Sequence, residues 1–130
     1  MRNSKSKVRC EKRKLPKCED LLRLYSPMQS RYVDLLQADE SVKSFRCNVP
    51  LESCAVGDGF TTDFVITKTD DTVMVRECVF RKHLSKPMTI KLLTASFRFW
   101  SERGVTDWGL VVDRDDSTKN NIGGETNENQ

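Results

Sequence analysis

Between Thr72 and Asp113 the chain passes from T-V-M-V-R-E-C-V-F, through a stretch with helical periodicity, to D-W-G-L-V-V-D. No other feature narrows the possible folds as much. Two apolar strands joined by a helix-length crossover run parallel in one sheet, since a tight hairpin joins only antiparallel neighbours. The first of them is apolar at most positions, which marks a central strand. The crossover reads as a helix over 88–103, with Leu92, Leu93, Ser96, Phe99 and Trp100 on one face. Ser85 and Pro87 form its start signal, and Gly104 is its stop. Trp100 and Trp108 read as helix–strand packing groups.

Upstream, S-P-M-Q-S-R-Y-V-D-L-L-Q-A-D reads as a helix capped by Ser26, with Pro27 at its first position. Met28, Tyr32, Leu35 and Leu36 recur at helical spacing, and Ser26-x-x-Gln29 has the form of a capping box. A short approach helix through Leu21, Leu22 and Leu24 fits the local pattern. In V-K-S-F-R-C-N-V-P-L, Phe45, Cys47, Val49 and Leu51 alternate with polar residues, as in a half-buried strand. Pro50 marks either a sheet edge or the end of that strand. The G-D-G run at 57–59 reads as a hairpin turn, F-T-T-D-F-V-I-T as the next strand, and Asp70-Asp71 as the turn after it. The expected fold is therefore an α/β (mixed α+β) domain over 18–113. Its order is αβββαβ, with a mixed central sheet flanked by helices.

The two ends differ in charge. Residues 1–17 carry +7, residues 113–130 carry −3, and the whole chain is +3. The first stretch reads as a basic arm, either solvated or held against phosphates by counterion release. The polar, acidic segment 114–130 is too poor in apolar residues to order itself. No apolar run is long enough to span a membrane, and no secretory signal is visible, so a cytoplasmic protein is expected. Five cysteines without a C-x-x-C pair, beside a single His83, read as reduced thiols and not as a zinc site.

Asp63 and Glu77 each interrupt an otherwise apolar strand. A carboxylate in such a place is costly to bury unless something pairs with it. On adjacent strands the two would repel unless a divalent cation or a base lies between them. Such a pair is the kind that holds Mg²⁺ for phosphodiester cleavage. The plainer alternative is that each points to solvent or pairs with Arg76, Arg81 or Lys82. The segment Arg81, Lys82, His83 and Lys86 leads into a helix N-terminus and, with Arg76, reads either as a DNA-facing rim or as a solvated loop.

The order of elements resembles the PD-(D/E)XK nuclease core. More narrowly, S-P-M-Q-S-R-Y-V-D-L-L with D-E-S-V-K-S-F, T-T-D-F-V-I-T, M-V-R-E-C-V and F-R-F-W-S-E-R-G-V resemble the N-terminal catalytic domain of TnsA-like transposon endonucleases. The resemblance implies Mg²⁺- or Mn²⁺-dependent DNA strand cleavage in transposition, beside a transposase or another mobile-element protein. It implies Asp63 and Glu77 as metal ligands. It also sets Gln29 where the family has a helix Glu, and Val79 where it has a Lys. Arg81, on the same strand face two residues past Val79, or Lys91 on the second helix, then stands as the replacement cation. Gln29 and Val79 favour a second reading, a non-catalytic DNA-binding or adaptor module that keeps the nuclease fold. A third is a small phage or plasmid interaction protein without a DNA role.

Overall fold

The fold is known from a computed structural model that describes residues 2–3, 10–51 and 60–113. The G-D-G turn and the segment 114–130 lie outside the described residues. From Pro27 onward the order is helix α1 (Pro27–Ala38), strands β4 (Val42–Pro50), β5 (Phe60–Lys68) and β6 (Val73–Val79), helix α2 (Pro87–Glu102) and strand β7 (Asp107–Val112). This is the αβββαβ order the sequence implies. Ahead of it lie three short strands, β1 (Arg2–Asn3), β2 (Glu11–Arg13) and β3 (Leu22–Leu24).

Five strands make one mixed sheet, in the order β1-β5-β6-β7 with β4 paired to β5. β4, β5 and β6 are antiparallel, and β6 and β7 are parallel from Met74–Asp107 to Val79–Val112. The helical crossover enforces that parallel pairing. β4 sits at an edge and Pro50 is its last residue, so both readings of that proline hold, and the strand has a register shift between Val42 and Ser44.

Helix α1 starts where Ser26 Oγ accepts the Gln29 N–H at 3.1 Å, with Pro27 in its first turn. Met28, Val33 and Leu36 bury its inner face against Phe45, Phe64, Ile66 and Met74. Tyr32 meets the Phe64 ring edge-on at 5.1 Å. Full burial of each such side chain contributes roughly 1.5–3 kcal/mol, so this cluster is the main apolar support of the domain. Leu35 is exposed, one position round from the face the spacing assigned to it.

The Leu21–Leu24 segment forms strand β3 and no approach helix. Leu22 and Leu24 point inward and Arg23 outward, the period-two pattern of a strand paired with β2. Part of the basic arm is therefore folded: Glu11–Arg13 pairs with Leu22–Leu24. Arg13 reaches Asp34 on α1 at 2.7 Å. Lys17 Nζ donates to the carbonyls of Leu36 and Asp39 at the C-terminal end of α1, where the helix dipole favours a cation.

Helix α2 is capped at Lys86 and not at Ser85, and no side chain bonds its first turn. Ala95 and Ser96 are its buried residues. It ends at Gly104, whose φ of +86° suits glycine and whose absent Cβ would meet nothing within 4 Å. Gly104→Ala is thus expected to cost only the left-handed backbone strain, about 1–2 kcal/mol, visible as a lower urea midpoint at unchanged slope.

Candidate functional site

The ladder between β5 and β6 runs from Thr67–Val73 to Phe64–Arg76. One step further the same register sets Asp63 opposite Glu77. There the strands diverge, and the carboxylates take the place of backbone carbonyls. Glu77 Oε1 accepts the Asp63 N–H at 2.9 Å, and Asp63 Oδ2 accepts the Cys78 N–H at 2.7 Å. β4 and β1 both pair with Thr61. A strand has only two edges, so β1 lies on the side of β5 that β6 has left, and it fills the fork beside the acidic pair.

The outer oxygens are used as well. Asp63 Oδ1 accepts from Gln29 Nε2 at 2.7 Å, and Ser96 Oγ lies 2.5 Å from Glu77 Oε2. Both carboxylates are 0% exposed. Trp108 Nε1 donates to Ser96 Oγ at 3.0 Å, and Trp100 Nε1 donates to Thr62 Oγ1 at 2.8 Å. The two tryptophans thus tie α2 to the sheet, the packing role expected of them. Burial pushes the Glu77 carboxyl up to about 7, against the opposing pull of hydrogen bonds from Ser96 and Thr62. A protonated Glu77 fits this setting, because Ser96 Oγ has lone pairs for both Trp108 and a carboxyl O–H.

Gln29 occupies the position where the resemblance places an acidic ligand. Its Oε1 accepts the Tyr25 N–H at 2.8 Å, so its Nε2 must face Asp63 and Asn48. The capping box is therefore shifted by one residue: the Gln29 side chain returns to Tyr25 and not to the Ser26 N–H. Gln29 presents a donor to Asp63 and has no oxygen for a cation. Asn48, with φ of +55°, closes the group by donating to the Arg23 carbonyl at 2.6 Å.

These residues do not fit Mg²⁺ or Mn²⁺. Mg²⁺ takes an octahedral oxygen shell that keeps several waters and usually reaches phosphate. Here each carboxylate oxygen is already engaged in a protein hydrogen bond, and both side chains are 0% exposed. No group of three or more His, Cys, Asp or Glu suited to a metal occurs among the described residues. Cys18 and Cys78 offer no substitute. Burial pushes Cys18 up to about 11 and Cys78 up to about 12, so neither is a thiolate at neutral pH.

Neither expected replacement cation reaches the pair. Val79 is buried in β6, and the strand ends there. Phe80 then turns the chain into a 3₁₀ turn over Arg81–His83, which breaks the period-two alternation that would have aimed Arg81 beside Glu77. The Arg81 N–H donates to Asp113 Oδ1 at 2.6 Å and its Nε to the Asp113 carbonyl at 2.8 Å. Lys91 is exposed on α2, and among the described residues no hydrogen bond or ion pair joins it to a carboxylate.

The basic rim divides. Arg76 bonds Asp107 at 2.7 Å and the carbonyls of Val75 and Asp107, lying across Gly109, where a Cβ would meet its guanidinium at 3.4 Å. These bonds hold β6 against β7 and leave the Arg76 side chain 22% exposed. Lys82 and Lys86 are exposed, and His83 is half-buried with its ring edge-on to Phe80. Sequence reasoning missed the role of Ser96. Its one signal was a hydroxyl on the otherwise apolar face Leu92, Leu93, Phe99 and Trp100. Arg98, exposed on α2, was missed too. It belongs to a longer feature, since no acidic residue occurs between Glu77 and Glu102 while Arg81, Lys82, Lys86, Lys91 and Arg98 do.

No family model matches the chain, and no curated protein matches it. Among the described residues no helix is long and apolar enough to cross a membrane.

Proposed function

We propose that this chain is a DNA-binding module on a nuclease-type αβββαβ frame, its acidic pair kept for structure and not for cutting. The observation that carries the reading is the acid-free run from Cys78 to Ser101. Its exposed Lys82, Lys86, Lys91 and Arg98 stand along the 3₁₀ turn, the α2 cap and α2 itself, with no carboxylate in the run until Glu102 at the far end of the helix. Such cations bind a phosphate backbone by displacing condensed counterions. The hydrogen-bonded state of Asp63, Glu77 and Gln29 supports the non-catalytic half of the reading. The resemblance to TnsA-like endonucleases is the ground for choosing DNA as the polyanion and a mobile-element protein as a partner.

Duplex DNA titrated at several salt concentrations tests this. Affinity is expected to fall steeply with salt, and Lys82→Ala/Lys86→Ala/Lys91→Ala should flatten the log–log slope by about three, near one per lost phosphate contact. Supercoiled plasmid with Mg²⁺ or Mn²⁺ should stay uncut. Nicking that disappears in Asp63→Ala would restore the metal-dependent endonuclease. Absence of binding even at low salt would leave an interaction protein without a DNA role.

A further inference from the structure

The edge strands β4 and β7 are built differently. β4 carries a register shift, a left-handed Asn48 and Pro50, all devices that keep an edge from pairing. β7 (Asp107–Val112, D-W-G-L-V-V) has none of these, and among the described residues no strand pairs its outer side. Beside it runs an uncovered apolar strip. Ile90 is 51% exposed and Phe97 49% on one flank of α2, and Leu110 is 40% exposed on β7. Phe97 meets Trp108 edge-on at 5.5 Å, which joins the helix flank to the strand. Contiguous exposed apolar surface next to an unprotected edge marks an interaction site.

We propose that a second copy of this chain occupies that edge, the two β7 strands running antiparallel about a two-fold axis at Leu110. A two-fold interface must be complementary to itself, and β7 is. Leu110 meets Leu110 of the partner subunit on the axis. Trp108 meets the partner's Val112 on the same face, since residues two apart share a face. At each end of the seam Asp107 faces the partner's Asp113. Asp107 brings Arg76, bonded to it at 2.7 Å, and Asp113 brings Arg81, whose Nε bonds its carbonyl at 2.8 Å. Each end therefore gathers two carboxylates and two guanidiniums, a neutral and alternating set. Lys91 and Arg98 follow Ile90 and Phe97 by one residue, hence lie about 100° round the helix. The association leaves them free and does not depend on the DNA reading.

Sedimentation equilibrium of the full chain in reducing buffer, at tens of micromolar, tests the proposal. The expected mass is twice the 15.0 kDa of one chain. Leu110→Glu sets two carboxylates against each other on the axis and should weaken association at least tenfold, with an unchanged circular dichroism spectrum because Leu110 is exposed. Directly opposed residues of an antiparallel pair have Cα atoms about 4.5–5.5 Å apart, within disulfide reach. Oxidised Leu110→Cys should therefore cross-link to itself well above the wild-type blank, and Val112→Cys should not. A wild type of one chain mass, a Leu110→Glu variant that stays dimeric, or cross-linking at Val112 in place of Leu110 overturns it.

Discussion

Asp63→Ala is expected to lower the unfolding free energy by about 2–6 kcal/mol, the range for leaving two buried donors unsatisfied. The cause is local. The carboxylate takes the Cys78 N–H through Oδ2 and the Gln29 amide through Oδ1, in a site with no solvent. Truncation strands both donors, at roughly 1–3 kcal/mol each, and leaves the fork between β5 and β6 without its closure. Small domains have only about 5–15 kcal/mol to lose, so the variant should unfold at a much lower urea midpoint. Asp63→Asn keeps the volume and one acceptor but turns an NH₂ toward one of the two donors. Its cost is expected nearer 1–3 kcal/mol. A carboxylate held in readiness for a metal behaves in the opposite way, because deleting it relieves repulsion within the pair. An Asp63→Ala protein as stable as the wild type would therefore refute the structural reading of the site.

Stability is also expected to fall as pH rises from about 4.5 to about 7. Glu77 is raised in the folded state by burial, to about 7 from an ordinary 4.5. Across that window the native protein keeps a proton that the unfolded chain has released. The unfolded state then binds fewer protons, so the unfolding free energy decreases with pH. The contribution is fully present below about 4.5, is lost through the interval and levels off above it. Its size is on the order of 3 kcal/mol. Asp39 and Asp70 shift the other way, held low first by the side-chain hydroxyls and then by the backbone N–H groups of Ser41 and Thr72. Their effect is lost on the acid side, outside this window. Glu77→Gln should abolish the neutral-pH slope while keeping the fold. Its carbonyl oxygen can take the Asp63 N–H, and its NH₂ can donate to Ser96 Oγ. Urea unfolding of both proteins at several pH values between 4 and 8 measures this. A wild-type profile that rises or stays flat there contradicts it.

Much of the fold was legible along the chain because its signals are local. Pro27 and Ser26 begin a helix, Gly104 ends one, and Pro50 marks an edge or a strand end, whatever lies around them. The apolar strand–crossover–strand run from Thr72 to Asp113 made β6 and β7 parallel before any contact was known. The failures share a different cause. Leu21–Leu24 offered apolar residues at spacings open to helix or strand, and pairing with β2 decided for strand. Continuing the strand alternation past Val79 puts Arg81 on the face of Glu77, but the chain turns at Phe80.

The acidic pair shows where local reading stops. The order αβββαβ and the adjacency of the Asp63 and Glu77 strands follow from residue type and spacing, which leave open whether the two carboxylates are buried or point to solvent. Which groups meet those carboxylates does not follow either. Gln29 comes from a helix thirty-four residues before Asp63, and Ser96 from one nineteen residues after Glu77. Only packing brings those helices to the point where β5 and β6 part. The orientation of Gln29 was set by one backbone N–H, that of Tyr25, which takes its oxygen and turns its NH₂ to Asp63. A carboxylate that would ligate a cation in an open fork becomes, when each of its oxygens is already bonded and water is shut out, a strut between strands. That outcome is a property of the three-dimensional neighbourhood, because the free energy of a buried charge depends on every partner it meets and not on its place in the chain.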